Sequence, residues 1–583
     1  MTVLRLAFFA ATLSLALAAC DRGEEPAAPS GAGNVLLDYV PVDTPFVAAN
    51  LEPLPEDVID AYLERLQPVF DEMQIQLTSA RHDLEAGEIE DTGAADDDPG
   101  TRLTLALLRE LDGKLSRTGL SSLGLDILSP KVVYGLGAFP VVRMGLSDPD
   151  ALRASIQRVL SDAGLPAEEQ VYEGIPYWSV VAEDPQEPPV GLYVAIMDDH
   201  LAIALLPSIA ETDLLPAFLA VAKPAATDAR ERLAELNREE GYTPFGSGIL
   251  DLHRLADQFL QTDTVTAKVL AATGEYDPAS ITPECVSEIH GIIDNAPRIT
   301  AGTVELSTSA IAYQYRVESP ATLAGQLAGL VARLPAANAD SQRMLDLSFG
   351  MRFGAVRDFL REKATTIAED PYLCEHLQDL NESAEQSLAQ LDQPMPPFVN
   401  NFRGLRISLS EMMLDREFIP ADAQGHLALH VEQPEMFVGM AQMFLPDLST
   451  LALEPGAEPV ELPASLIPVP GLVAFAAMSD EAIGLSVGAG EEASLQEFLA
   501  RKPGPEGMFL SASYDTAAYL DYTDRMASAM QDDDADNGDP AEAVHAIGMA
   551  ARSAFRDMAD RSHTTLRFGP SGLVIDGRMS FKP

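Results

Sequence analysis

Basic residues are scarce in this chain. There are 38 Lys and Arg against 90 Asp and Glu, a net charge of −52. Such a charge repels nucleic acid and anionic lipid headgroups, which excludes DNA or RNA binding and a basic membrane-facing surface. It leaves solubility, a saline habitat or a cationic partner as its uses. Long apolar runs are scarce too. After residue 20 the longest, Gly191–Leu206, is broken by Asp198, Asp199 and His200, so no later segment reaches the roughly 20 residues of a spanning helix. Catalytic signatures are missing as well. Gly246-Ser247-Gly248 and Gly569-Pro570-Ser571-Gly572 lack the nucleophile-elbow spacing, and no zinc helix, phosphate loop or dinucleotide fingerprint occurs. No catalytic residue, metal ligand or cofactor is therefore assigned. The hydrophobic share of 47% still suffices for packed cores, and 583 residues call for two or more domains.

The N-terminus carries the most information. Arg5 precedes an apolar run from Leu6 to Leu17, and Leu17-Ala18-Ala19-Cys20 closes it. This is the layout of a secretory signal peptide over residues 1–19. The terminal four residues resemble a bacterial lipobox, which implies that Cys20 becomes the acylated first residue of the mature protein. Acyl chains contribute about 0.8 kcal/mol per buried CH2, and stable anchoring takes more than one. Asp21 tilts the reading toward the inner rather than the outer membrane. Residues 20–34 read as a flexible tether rich in Pro, Ala and Gly.

Cysteine is scarce: with Cys20 taken by lipid, only Cys285 and Cys374 remain. An oxidising periplasm favours their pairing. Both sit near the start of predicted helices that look equivalent, which strengthens the expectation of a disulfide.

From residue 35 the chain alternates strand and helix signals, and it repeats. Val141–Pro149, Tyr313–Pro320 and Leu427–Pro434 each run from a strand through a polar cap and Pro into a helix, the second reaching Leu334. Val194–Ala220 and Val473–Ala500 each read as a hairpin with an acidic tip followed by a helix. Cys285–Val317, Cys374–Phe418 and Ala541–Phe581 each read as a helix followed by a hairpin, the middle hairpin pairing Arg403–Leu409 with Met412–Phe418. The expected fold is α+β: two similar halves, 35–295 and 296–583, each an antiparallel sheet with helices on one side.

Three local features were weighed for chemistry. His426, His430 and Glu432 fall on one face of a predicted strand, a pattern that serves a metal site or a plain polar face. Asp532–Asp539 resembles a calcium loop, but the register places Val544 where a bidentate Glu is required. Trp178 follows Pro176 and Tyr177 and suits a ligand wall or a buried strand end. The Pro-rich stretches 183–190 and 454–470 read as long loops in matching places.

Asp38-Tyr39-Val40-Pro41-Val42-Asp43-Thr44-Pro45-Phe46 through Asn50 resembles the opening of proteobacterial envelope lipoproteins of unknown function. The resemblance carries no functional residues. With the lipobox it implies a lipid-anchored, periplasm-facing protein, joined to the membrane through Cys20, that works by binding a ligand or protein partner. An envelope assembly factor is the alternative, and an unrecognised hydrolase a more remote one.

Overall fold

The computed structural model describes residues 33–583 apart from 87–98, 167, 183–189, 225, 275, 278–279, 415–419, 445, 468–470 and 531–551. The lipobox, Cys20 and Asp21, the calcium-like run and most of the first Pro-rich loop lie outside the described residues. Mixed helix and strand with extensive antiparallel sheet make up the rest. The described residues form two compact units. The first holds the chain through Thr282, Pro297–Gln314 and 552–554; the second holds Pro283–Ala296, the chain from Tyr315 to 530, and Phe555–Pro583. The chain crosses between the units at 282/283, 296/297 and 314/315, so the units are not two consecutive stretches of sequence. Among the described residues, no helix is long and apolar enough to cross a membrane.

Asn34, expected to close the flexible tether, is instead a fixed part of the first unit. Asn34 is fully buried. Its side-chain amide donates to Asn50 O at 2.8 Å and Lys131 O at 2.9 Å, and its Oδ1 accepts from Leu36 N–H. The elements are β1 (Phe46–Ala49), α1 (Glu56–Ala86), α2 (Pro99–Leu111), α3 (Arg117–Ser122), β2 (Lys131–Leu136), β3 (Phe139–Gly145), α4 (Pro149–Asp162), β4 (Gln170–Tyr172), β5 (Ile175–Ala182), β6 (Val190–Ile196), β7 (His200–Pro207), α5 (Glu211–Phe218), α6 (Ala229–Glu240), β8 (Ser247–Asp251), α7 (Leu252–Leu260), α8 (Val265–Thr273) and β9 (Arg298–Ser307). The sheet order is β5-β6-β7-β3-β2-β1-β8-β9, antiparallel throughout. The cap-and-proline signal works as read: Asp148 Oδ1 accepts from Ala151 N–H and Pro149 opens α4.

Helices cover both faces of this sheet, which corrects the one-sided expectation. Tyr193 and Ala195 of β6 pack with Val141, Leu214, Phe218 and Leu233. Ile196, one residue on, points the other way and packs with Trp178, Leu201 and the α4 residues Leu152 and Leu160. A strand apolar on both faces reads as a continuous run rather than an alternation, because both faces are buried.

The second unit comprises α9 (Pro283–Ile293), the end of β10 (Ala310–Glu318), α10 (Ala321–Ala328), β11 (Leu345–Gly350), α11 (Phe353–Glu369), α12 (Gln378–Leu391), α13 (Pro397–Asn401), β12 (Phe402–Leu414), β13 (Pro420–Val431), α14 (Pro434–Phe444), β14 (Val460–Glu461), β15 (Ala474–Met478), β16 (Ala482–Val487), α15 (Glu492–Leu499), β17 (Met508–Asp515), α16 (Thr516–Met530), β18 (Ala559–Gly569) and β19 (Gly572–Phe581). Its order is β14-β15-β16-β13-β12-β11-β17-β18-β19, again antiparallel. Two expectations are corrected. Met412–Leu414 does not begin a separate strand, since β12 runs to Leu414 and pairs with β13, and the rest of the expected strand lies outside the described residues. And α10 ends at Ala328, before Gly329, not at Leu334.

A disulfide joins Cys285 to Cys374, with Cα atoms 4.6 Å apart. The Glu288 carboxylate accepts the N–H groups of Leu373 and Cys374 beside it, at 2.8 and 2.9 Å. The argument from equivalent helices does not hold. Helix α9 leads into β9, the neighbour of β8 and β10, whereas α12 leads through α13 into β12, the neighbour of β11 and β13.

Candidate functional site

Each unit buries one arginine completely. Arg143 on β3 and Arg406 on β12 are both 0% exposed. A buried cation needs hydrogen-bond acceptors or a counter-charge to offset its lost hydration, so the partners of these two side chains define the most demanding chemistry in the fold.

Arg143 is fully partnered. Nη2 donates to Phe218 O, the C-terminal residue of α5, at 2.6 Å; Nε faces the Tyr134 hydroxyl at 3.1 Å; Nη1 faces His200 Nε2 at 2.9 Å. A guanidinium only donates, so His200 Nε2 is an acceptor and its proton sits on Nδ1. That N–H meets Asp199 Oδ1 at 2.7 Å. Burial pushes the His200 pKa down, with the Asp199 hydrogen bond opposing it. The Tyr39 ring lies over the guanidinium carbon at 4.5 Å and under Lys223 Nζ at 4.6 Å. The relay Asp199–His200–Arg143 orders an imidazole as in a catalytic dyad, but it ends on a cation and contains no nucleophile. It is a buried lock that ties the start of the ordered chain, through Tyr39, to the end of α5.

The second unit repeats the lock one strand over. Arg406 Nη1 donates to Phe498 O, near the end of α15, at 2.8 Å, and its guanidinium stacks 4.1 Å from the Phe498 ring. Gly484 makes the approach of α15 possible, since a Cβ there would meet Leu499 Cδ2 at 2.9 Å. Around Phe498 a polar cluster is buried. His426 stacks on the ring at 5.1 Å, and its Nε2–H donates to Glu491 O at 2.9 Å. Arg343 holds the Glu491 carboxylate with two bonds of 2.7 and 2.6 Å, keeping it ionised below its usual range. Asp346 faces Arg501 at 3.5 Å and is 1% exposed; burial raises its pKa. His430 is pushed down to about 4 by burial and by Arg406. Ser348, Ser408, Ser486, Ser511 and Ser513 complete the buried face.

The expected histidine face is half assembled. His426 and His430 are both buried on β13, but Glu432 lies beyond the strand end, exposed and ion-paired to Arg403. Glu432 therefore joins neither histidine, and among the described residues no cluster of three His, Cys, Asp or Glu is arranged to hold a metal. Trp178 is a buried strand residue at 4% exposure, not a ligand wall.

One open cleft of about 370 Å³ lies in the second unit. Phe353, Val356 and Leu360 of α11 face Leu391, Met395 and Val399 across it, with Arg357 at its side. Arg357 Nε is buried, makes no hydrogen bond and lies 3.8 Å from Asp358 Oδ1. Sequence reasoning missed both arginine locks and this cleft. The available signal was Arg143 inside the apolar run Val141-Val142-Arg143-Met144, and Phe-Leu-Ala recurring at 218–220 and 498–500.

Comparison with known protein families, curated proteins and solved structures yields no match.

Proposed function

We propose that this chain is a lipid-anchored protein of the bacterial cell envelope that faces the periplasm and binds an apolar ligand bearing an acidic head, without catalysing its conversion. The observation that carries this reading is the α11–α13 cleft. Its volume of about 370 Å³ falls in the range of small-molecule sites. Aliphatic and aromatic side chains wall it, and Arg357, ion-paired at 3.8 Å to Asp358, supplies a cation at its edge. The lipobox at Leu17–Cys20 supports the anchor. In this reading the two units are similar halves of a duplicated fold. Their strand orders correspond element by element, β5-β6-β7-β3-β2-β1-β8-β9 with β14-β15-β16-β13-β12-β11-β17-β18, and each locks a buried arginine to a phenylalanine carbonyl.

Displacement of a fluorescent long-chain carboxylate tests the site. Wild type binds it, and Val356→Trp, which fills the cleft, loses affinity at least tenfold while keeping its unfolding midpoint. Equal binding by both proteins refutes the cleft. A reproducible crosslinked protein with no small-molecule binding favours an assembly factor instead. Labelled palmitate entering wild type but not Cys20→Ser tests the anchor separately.

A further inference from the structure

Arg406 differs from Arg143 in what its guanidinium lacks. Nε and Nη2 form the side-on fork that grips anions with two parallel bonds. In Arg143 that fork is occupied by Tyr134 Oη and Phe218 O. In Arg406 both atoms are buried and neither has a hydrogen-bond partner. Two further buried atoms on the same sheet face that can donate are also unpartnered, His430 Nε2 on β13 and Ser486 Oγ on β16; Asp346 Oδ1 on β11 is unpartnered too, but as an acceptor it is not completed by an anion. Buried polar atoms are nearly always paired, so orphans collected on one face point to a bound species that completes them.

Charge says which species. The cluster holds Arg343, Arg406 and Arg501 against Glu491 and Asp346, with His426 and His430 neutral. Arg561 nearby is set against Asp340, Asp515 and Asp560. The carboxylates of the cluster are held by other arginines, Glu491 by Arg343 and Asp346 by Arg501, and the hydrogen bond of the Arg406 guanidinium goes to a neutral carbonyl. In the first unit the corresponding charge reaches Asp199 through His200. The positions beside Arg406 are small: Ser348 pairs opposite it on β11 and Ala428 opposite it on β13. A bulky anion does not suit that space.

We propose that the Arg406 fork, with His430 Nε2 as an additional donor, binds a small monovalent anion of the chloride class, which gives this guanidinium a directly bonded counter-charge. The anion is separate from the ligand of the α11–α13 cleft, which lies on other residues.

Thermal unfolding at constant ionic strength tests this, exchanging sodium gluconate for sodium chloride, bromide or nitrate. In wild type the unfolding midpoint is expected to climb by several degrees with increasing chloride and to level off, as binding to the folded state alone requires. Bromide and nitrate should substitute, and sulfate should not. The chloride-35 resonance should broaden with wild type and narrow on adding bromide. Arg406→Met should lose both responses, whereas Arg143→Met should keep them. A wild-type midpoint that is the same in gluconate and chloride overturns the proposal and leaves buried water as the occupant. That wild-type measurement stands even if Arg406→Met fails to fold.

Discussion

The two units solve one problem with different chemistry. Both sheets bury a face beneath a short helix, α5 or α15, and both put an arginine there. In the first unit the rest of that face is large and apolar: Val132, Tyr134, Val141, Tyr193 and Leu206 pack with Leu214, Phe218 and Leu233. In the second it is small and polar: Ser348, Ser408, His426, Ala428, His430 and Ser486, and the apolar cluster under α15 shrinks to Ala428, Ala477, Ala482, Leu495, Phe498 and Leu499. The exchange is local. Val132 faces Arg143 across β2 and β3, whereas Arg406 faces Ala428 across β12 and β13. Gly145 faces His200, whereas Gly404 faces His430. The arginine and histidine have moved together by one strand, keeping their diagonal relation. What the move loses is Tyr134 and Asp199, the groups that complete the first lock. Two sheets of the same strand order can thus hold a satisfied core in one unit and an unsatisfied one in the other.

The largest expected effect concerns the covalent tie that only the second unit carries. Cys285 and Cys374 are 89 residues apart, and closing such a loop stabilises by about 4–5 kcal/mol at the upper end. Trp178, the single tryptophan, lies in the first unit, so its fluorescence reports that unit while far-ultraviolet dichroism reports both. A Cys285→Ser, Cys374→Ser double variant should lower the denaturation midpoint seen by dichroism and leave the tryptophan transition in place. A matching fall in both signals would mean that the difference in core chemistry does not translate into separate stabilities.

Next in size is the pair of arginine replacements. Arg143→Met strands Phe218 O, Tyr134 Oη and His200 Nε2 in a buried site, at a cost of about 3–5 kcal/mol. Arg406→Met strands only Phe498 O, so a smaller loss of about 1–2 kcal/mol is expected. Urea titrations of both variants check the asymmetry. Equal losses would show that Arg406 is as well satisfied as Arg143 and would break the comparison at its centre.

Much of this architecture was legible in the chain. The hairpins β6–β7 and β15–β16 stand out because Asp198-Asp199 and Ser479-Asp480-Glu481 interrupt apolar runs, and the helices after Asp148-Pro149 and Gln433-Pro434 because a cap and a proline mark them. The disulfide was legible from elimination of Cys20, though the helices it joins are not counterparts. What was hidden has one cause. In β11, Leu345, Leu347 and Phe349 alternate with Asp346, Ser348 and Gly350. Alternation of that kind reads as a wet polar face, yet here the Asp and Ser side is the buried one. Sequence period reveals that two faces differ; it does not reveal that a second helix layer covers the polar one. For the same reason His426 and His430 read as a plain polar face or a metal site, and the cleft was invisible because α11, α12 and α13 meet only in the folded chain.

The smallest effect gives the finest test of the comparison, because it sets one buried histidine against the other. His430 is held down to about 4 by burial and by Arg406, from an ordinary value of 6.5. The unfolded chain therefore takes up a proton that the folded one refuses. Stability from this group is complete above pH 6.5 and is lost as the pH falls through 6.5 toward 4, amounting to about 2 kcal/mol between pH 7 and pH 5. His200 is shifted in the same direction, but its hydrogen bond to Asp199 pulls back toward protonation, so its share is smaller. His430→Asn should flatten the acid-side fall of the dichroism midpoint more than His200→Asn flattens the fall of the Trp178 midpoint. Glu110, held down to about 2 by its bonds to Arg158, Lys114 and Ser155 despite partial burial, also loses its contribution on the acid side. It is common to wild type and both variants and cancels in the difference. If the two histidine variants flatten their curves equally, the aspartate at the end of the first relay has no electrostatic consequence, and the distinction between a completed and an open lock reduces to packing alone.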